Sequence, residues 1–377
     1  MDNVTQTDDR ARSLRAGRYV ARTFLWSFSS LARVSRCGRV ASGQLVAVKV
    51  TRSADGGAVA SWSGLQHCGS PWSCPMCSAK ISRERVELIS SILDAWSASG
   101  GRVVMVTLTV RHTRRHLLRD TWDAVAKSWH AATSGRGWQD LAALYGVRDA
   151  QGRDRLHYVR VVETTVGEDH GWHVHVHALV MLRAGLADYD QAAQHITSDM
   201  WERWNRSAGR RGYVGGSFAA CDGHVVHGDA AKREVGEYFA KAVFEVLLGG
   251  GKRGKDGHYT PFEVLAMLAD LDGGCEPVPG APDAAVLMRW WIEWEQGSRG
   301  RRQIGLSRGL TDLVEVDPMR SDEEIAEDDS LAGEVVVTIT AKEFGKVVRL
   351  GCWVQVLERI EDDTASGVRF LLHLLRR

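Results

Sequence analysis

The chain has 377 residues, 44% of them hydrophobic and 25% charged, and a net charge of +1. Those values exclude a fibrous or wholly disordered chain and allow buried cores in two or three domains. The charge is uneven, because residues 1–120 carry 18 Lys/Arg against 8 Asp/Glu while residues 312–329 carry nine acids against Arg320 alone. Only nine of the 48 basic residues are Lys, and guanidinium groups suit bidentate phosphate contact. The N-terminal part is therefore read as facing nucleic acid, and the acidic run as solvated.

Residues 1–30 are polar and Arg-rich, and are expected at the surface, frayed or helical. Asp8, Asp9 and repeated Arg leave no apolar core for a signal peptide there, and no later apolar run is long enough to cross a bilayer. A cytoplasmic setting without a membrane is expected. Residues 45–51 and 58–63 flank Asp55-Gly56-Gly57 and read as a hairpin. Residues 79–97 place Ile81, Val86, Ile89, Ile92, Leu93 and Trp96 at helical spacing, and Gly100-Gly101 follow as a stop.

A strand is expected at 103–110, with Thr107 and Thr109 on one face, followed by a basic loop at 111–116 and a helix at 119–132. Strands at 158–165 and 172–182 are joined by a polar turn at 167–170. Helices are expected at 188–205 and at 229–248, the latter N-capped by Asp229, with a short strand at 224–227. A basic Gly-rich linker spans 249–257, and helical patterns at 261–269 and 284–296 flank a Gly/Pro loop. Residues 298–308 hold an Arg cluster. A strand at 334–340, a short helix at 341–348 and an apolar segment at 366–375 close the chain.

Seven Cys are an odd number, and four of them gather in sequence as metal ligands do, which points to a reducing compartment rather than a disulfide framework. Cys74-Pro-Met-Cys77 has the two-residue spacing that lets two thiolates reach one tetrahedral Zn2+. Cys68 lies just upstream, and the hairpin can return Cys37 to the same place, so a four-Cys structural site is the simplest closure, with His67 in reserve. A redox pair would leave Cys37 and Cys68 unexplained. Cys221, Cys275 and Cys352 read as packing residues.

The strand around 171–180 alternates Trp172, Val174, Val176, Ala178 and Val180 with His173, His175 and His177. Three imidazoles on one strand face favour a metal over a merely solvated face. Glu163 on the preceding strand supplies a carboxylate if it opposes His175 or His173. Such a mixed N/O set suits Mn2+ or Mg2+ with phosphate. Farther on, Glu234, Tyr238, Lys241 and Glu245 form one helical stripe beside an apolar one. Alone, that stripe is an exposed Tyr among helix salt pairs. Beside a metal that polarises phosphate, a phenol becomes a usable nucleophile.

Three ordered motifs make the chain resemble the replication initiators of bacterial rolling-circle plasmids, within the HUH endonuclease superfamily. Val106-Thr-Leu-Thr-Val-Arg-His112 is similar to the first motif, Gly171-Trp-His-Val-His-Val-His177 to the second, and Glu234-Val-Gly-Glu-Tyr238-Phe-Ala-Lys241 to the third. The resemblance covers roughly residues 35–250, and the Cys-Pro-x-Cys stretch resembles the metal module of some plasmid initiators. Alignment on the end of the second motif selects His175 and His177 over His173.

The resemblance implies an α+β fold: an HUH-type antiparallel sheet flanked by helices, with an N-terminal zinc-binding module and a smaller C-terminal α/β region. The expected division is a basic Cys-rich module at 1–100, a catalytic domain at 101–250, a helical linker with the Arg cluster at 251–310, and an acidic and C-terminal region at 311–377. It further implies metal at His175, His177 and Glu163, attack by Tyr238 to give a 5′-phosphotyrosine and a free 3′-OH, charge stabilisation by Lys241, and termination assisted by Glu234. Arg111, His112 and Arg114 would hold the DNA backbone. Implied partners are single-stranded or extruded plasmid origin DNA, a host helicase and a host DNA polymerase. The competing readings are a relaxase or single-tyrosine transposase of the same superfamily, and a non-catalytic zinc-dependent DNA-binding regulator.

Overall fold

The computed structural model describes residues 2–52, 57–213, 218, 221–226, 257–328 and 333–376. The chain opens with α1 (Asp2–Phe28) and α2 (Ala32–Arg36), then the hairpin β1 (Leu45–Arg52) and β2 (Ala58–Ser63). α3 (Pro75–Ala98) starts earlier than its apolar spacing suggests, because Pro75 sits in the first turn, where a missing N–H costs nothing. Cys77 thereby rides on the helix. There follow β3 (Arg102–Thr109), α4 (Leu118–Ala132), α5 (Gly135–Tyr145), the two-residue strands β4 (Val147–Arg148) and β5 (Asp154–Arg155), β6 (His157–Gly167) and β7 (Gly171–Leu182). Next come α6 (Tyr189–Gly209), β8 (Asp222–Val226), β9 (His258–Tyr259), α7 (Pro261–Asp272), α8 (Ala284–Ser298), β10 (Ile304–Leu306) and α9 (Leu310–Leu313). The last elements are α10 (Asp322–Glu327), β11 (Glu334–Thr340), α11 (Ala341–Arg349), α12 (Trp353–Asp362) and α13 (Thr364–Arg376). Part of the acidic run is thus helical. α10 opens with a capping box between Ser321 and Glu324 and places its acids in the first turn, where the helix dipole favours them.

The chain divides into two compact units, Met1–Ile81 with Ala269–Glu276 and Arg320–Arg377, and Ser82–Leu268 with Pro277–Met319. The first unit holds a three-stranded antiparallel sheet in the order β11-β1-β2. Val48 opposes Trp62 and Val50 opposes Ala60, so one face of the hairpin is apolar and buries against Phe344, Trp353, Val356 and Ile360. Trp62 donates its indole N–H to the Trp353 carbonyl at 3.0 Å, satisfying a polar group inside that core.

The second unit holds an antiparallel sheet in the order β10-β6-β7-β3-β8, with β9 adding to β6. β7 is central, and its alternation assigns the two faces. Trp172 stacks on Trp294 of α8 at 5.7 Å, and Trp294 in turn meets Trp122 of α4 at 5.6 Å, so helices close that side. The opposite face is divided along its length. Leu179 and Met181 pack with Met105, Val159 and Val161 under Ile89, Ile92 and Trp96 of α3. The other half of that face carries the histidines. Among the described residues, no helix is long and apolar enough to cross a membrane.

Candidate metal centres

Register decides where Glu163 points. β6 pairs with β7 so that Glu163 lies directly opposite His175, with Val161 opposite His177 and Thr165 opposite His173. On the other side, β3 places Thr107 opposite His177 and Thr109 opposite His175. Directly opposed residues share a sheet face, so Glu163, three histidines and three threonines lie on the same side. Glu163 Oε2 is 2.8 Å from His175 Nε2 and 3.1 Å from His177 Nε2. Glu163, His175 and His177 each offer a ligand atom within 4.8 Å of the others.

The remaining ring nitrogens separate the three histidines. His177 is 3% exposed, and its Nδ1 lies 3.0 Å from the Thr107 hydroxyl. When Nδ1–H donates to that oxygen, the Nε2 lone pair is left for a cation, the arrangement common in metal sites. His173 instead turns its Nε2 to the Thr109 hydroxyl at 2.8 Å and stacks on His112 at 4.9 Å. It stands outside the three-residue group. Burial, reinforced by the neighbouring His175 and His112, lowers His173 to about 3. Burial also outweighs the Glu163 hydrogen bond at His177 and lowers it to about 4. Burial pushes the Glu163 carboxyl up, but His175 and His177 outweigh it and hold it well below the usual carboxylate range. Glu163 is thus held as anionic oxygen and His177 as neutral imidazole, the protonation states that hard and borderline divalent cations require. The Nδ1 of His175 is buried and has no hydrogen-bond partner.

The basic loop after β3 reaches this face through Gly171. That glycine has φ +73, and a Cβ on it would lie 2.8 Å from the Arg114 Cα, so any side chain would collide with the loop backbone. Arg111 and Arg114 are exposed, whereas His112 is half-buried, with Nδ1 3.2 Å from the Val110 carbonyl. Thr107 and Thr109 carry the hydrogen bonds that orient the histidines. Their alternation in Val106-Thr-Leu-Thr-Val110 is the signal in the sequence, but their partners required the register. Glu234, Tyr238 and Lys241 lie outside the described residues, as does the expected helix 229–248.

The second group lies in the other unit. Cys37, Cys68, Cys74 and Cys77 are all buried and form a four-sulfur cluster. The Cys37–Cys77, Cys68–Cys77 and Cys37–Cys74 Sγ separations are each 3.6 Å. A disulfide needs about 2.05 Å. Tetrahedral Zn2+ with Zn–S bonds of about 2.3 Å separates its sulfurs by about 3.8 Å, so the cluster fits that ion. Hydrogen bonds from Cys68 and Cys74 pull the Cys37 thiol down to about 6, and those from Cys37, Cys68 and Cys74 hold Cys77 well below the ordinary thiol range. Burial lowers His67, but its hydrogen bonds to Cys37 and Cys77 outweigh this and raise it to about 9. His67 thus sits beside the sulfurs as a neighbouring cation, while four Cys complete the set. Cys275 is exposed, which removes it as a packing residue.

A mixed α/β chain with a carboxylate–imidazole cluster on its central strand and a separate Cys cluster belongs, by its sequence, to a family of replication proteins. The model of that replication protein family matches residues 59–343. The chain is also similar to "Protein rep" of Streptomyces lividans, with 30% identity over 296 residues, covering 67% of this chain and 65% of that protein. A second relative, described as a neomycin resistance protein of Streptomyces cyanogenus, is 34% identical over 182 residues, 41% of each chain. The chain thus spans less than two thirds of either relative. No solved structure matches it.

Proposed function

We propose that this protein initiates rolling-circle replication of a plasmid by nicking one strand of the origin, as an HUH-type enzyme with a tyrosine nucleophile. The observation that carries the reading is the register of β6 on β7, which sets one Glu163 oxygen against the Nε2 atoms of His175 and His177 in a chain of the replication protein family. His175, His177 and Glu163 would hold a divalent cation, Mn2+ or Mg2+, which withdraws charge from the scissile phosphate. Tyr238 is the nucleophile. Its oxygen bonds to phosphorus, the bond from phosphorus to the 3′ oxygen breaks, and that oxygen leaves with a proton as the primer 3′-OH. Lys241 stabilises the phenolate, and Glu234, one turn before Tyr238 in sequence, serves the termination step as general base. Arg111 and Arg114, exposed on the loop held against Gly171, grip the DNA backbone, whereas His112 supports His173 by stacking.

The four Cys residues hold a structural Zn2+. Host DNA polymerase and helicase would use the exposed 3′-OH in the bacterial cytoplasm. An origin oligonucleotide incubated with Mn2+ tests the reading. Wild type should cleave it and acquire a covalent DNA adduct, and Tyr238→Phe should do neither. Cleavage with adduct formation by Tyr238→Phe removes Tyr238 as nucleophile. Absence of both from wild type on every origin strand favours the non-catalytic regulator.

A further inference from the structure

The helical side of the second unit carries a basic cleft for which the reading above has no use. α4 lies on the Trp172 face of the sheet, away from Glu163 and the histidines, and α6 packs along it. Between them is a cleft of about 670 Å³ lined by Lys127 and His130 from α4 and by Arg203, Arg206, Arg210 and Arg211 at the end of α6. Among the described residues, no carboxylate and no Phe, Tyr or Trp ring lines it.

The ordinary explanation is helix chemistry, since cations near a helix C-terminus are favoured by its dipole. That accounts for Arg206 and Arg210 on α6 and for His130 in the last turn of α4, but not for Lys127, nor for the two helices bringing these cations to one cleft. Pairing separates the cations further. Arg203 is ion-paired with Asp199, one turn back on its own helix. Arg211 is fixed at the cleft by donating to the Ser207 carbonyl at 2.6 Å and to its hydroxyl at 2.9 Å. Lys127, Arg206 and Arg210 are exposed and have no acidic partner among the described residues. Asp123, one turn before Lys127 on α4, is already engaged by Arg301 at 2.7 Å.

We propose that this cleft binds the sugar–phosphate backbone of duplex DNA. The inference rests on the reading that the protein acts on DNA, and it adds a second, non-catalytic contact on the far side of the sheet. Arg203 to Arg210 covers about 10 Å of helix, which matches about three phosphates of one strand at about 3.4 Å of axial rise each. Sequence-tolerant single-strand binding relies on aromatic rings that stack bases. The described lining offers cations and no such ring, which favours a paired backbone recognised by charge. A duplex arm held here leaves the histidine face to single-stranded DNA.

The experiment combines Lys127→Ala, Arg206→Ala and Arg210→Ala in the full chain and measures binding to a random 30-base-pair duplex across a salt series. In parallel, Mn2+-dependent nicking of a short single-stranded origin oligonucleotide is followed. Three lost phosphate contacts should flatten the salt slope by about 2.7, so the loss of affinity between 50 and 200 mM salt shrinks by about 40-fold. Nicking of the short single strand should be retained, which also reports an intact fold. The double variant Arg206→Lys/Arg210→Lys should keep most of the slope. An unchanged slope in the triple-Ala variant overturns the proposal, and so does a wild type that nicks the single strand but does not bind the duplex. Equal losses of duplex binding and single-strand nicking would instead make the cleft a single-strand track and overturn the duplex assignment. A wild type that binds duplex but never nicks leaves this proposal standing and fails the nicking function.

Discussion

Thr107→Val removes one hydroxyl from the histidine face and keeps the shape of the side chain. That hydroxyl lies 3.0 Å from His177 Nδ1, and the other ring nitrogen faces Glu163 at 3.1 Å. The Thr107 contact therefore holds the ring angle, and with Nδ1–H donating to the hydroxyl it leaves the Nε2 lone pair toward the site. Removing such a supporting partner costs about 10–100-fold in metal affinity, or about 1.4–2.7 kcal/mol. His177 is 3% exposed, so water has little access to replace the lost oxygen, and the upper half of that range is expected. The assay is calorimetric titration of Mn2+ into protein previously treated with mild EDTA. Thr109→Val is the matched comparison, because its hydroxyl serves His173 at 2.8 Å rather than His177. If His175, His177 and Glu163 are the ligands, Thr109→Val should weaken Mn2+ by less than about threefold, being outside the outer shell of the site. A larger effect from Thr109→Val than from Thr107→Val would refute the reasoning and return His173 to the ligand set.

One equivalent of zinc should survive mild EDTA, and Cys74→Ser should release it and lower the melting temperature, because metal binding and folding are coupled. A native fold with no zinc by atomic absorption would remove that ion from the Cys cluster. Replacing Glu234 by Ala should leave the first nick largely intact and slow release of the phosphotyrosine adduct, and equal loss of both steps would assign Glu234 another role. Burial, helped by Arg155, depresses His157, whose Nδ1 lies 3.0 Å from the Ser307 hydroxyl. The unfolded chain then takes up a proton near pH 6.5 that the folded chain refuses until lower pH. Its contribution is intact above pH 6.5 and is lost as pH falls toward the depressed value. Urea melts at pH 7.5 and 5.5 should therefore show a smaller pH difference for His157→Gln than for wild type; an identical difference contradicts the assignment.

Alternation made the histidine strand legible, since only an edge-on reading of Trp172 to Val180 separates imidazoles from apolar side chains. It also limited Glu163 to two possible partners, and pairing then chose His175. What alternation cannot give is the identity of a neighbouring strand. Leu45–Arg52 reads as half of a hairpin, yet its other edge is taken by Glu334–Thr340 from the far end of the chain. Nothing local encodes that partner. Gly135–Tyr145 escaped notice for a different reason. Its buried set is only Leu141 and Ala142, too small an apolar stripe to stand out. His112 shows the limit of residue type as a guide. In a run of Arg it reads as a phosphate contact, and residue type gives no hint that its ring also stacks on His173 where two backbone segments meet at Gly171. The basic cleft was hidden likewise, because its cations are divided between two helices whose exposed faces look ordinary one at a time.

The same register that buries the core builds the Glu163–His175–His177 face, so the two cannot be lost separately. A slip of β7 by one residue would bring His173, His175 and His177 to the side closed by Trp122 and Trp294, and would offer Trp172 and Val174 to the open half of the other face. Glu163 would then oppose an apolar side chain instead of an imidazole. An unpaired carboxylate or imidazole in an apolar layer costs several kcal/mol, against a total stability of about 5–15 kcal/mol for a domain. The alternative register is therefore excluded by burial alone, before any metal binds. The Glu163–His175–His177 geometry is a consequence of folding rather than a demand placed on it, and a cation would need only to displace the contacts that the carboxylate already makes to the two rings. Such a site is preorganised by strands held on both sides, β6 through Glu163 and β3 through Thr107. This predicts that mutations along the Trp172 face disturb metal affinity only when they disturb the register.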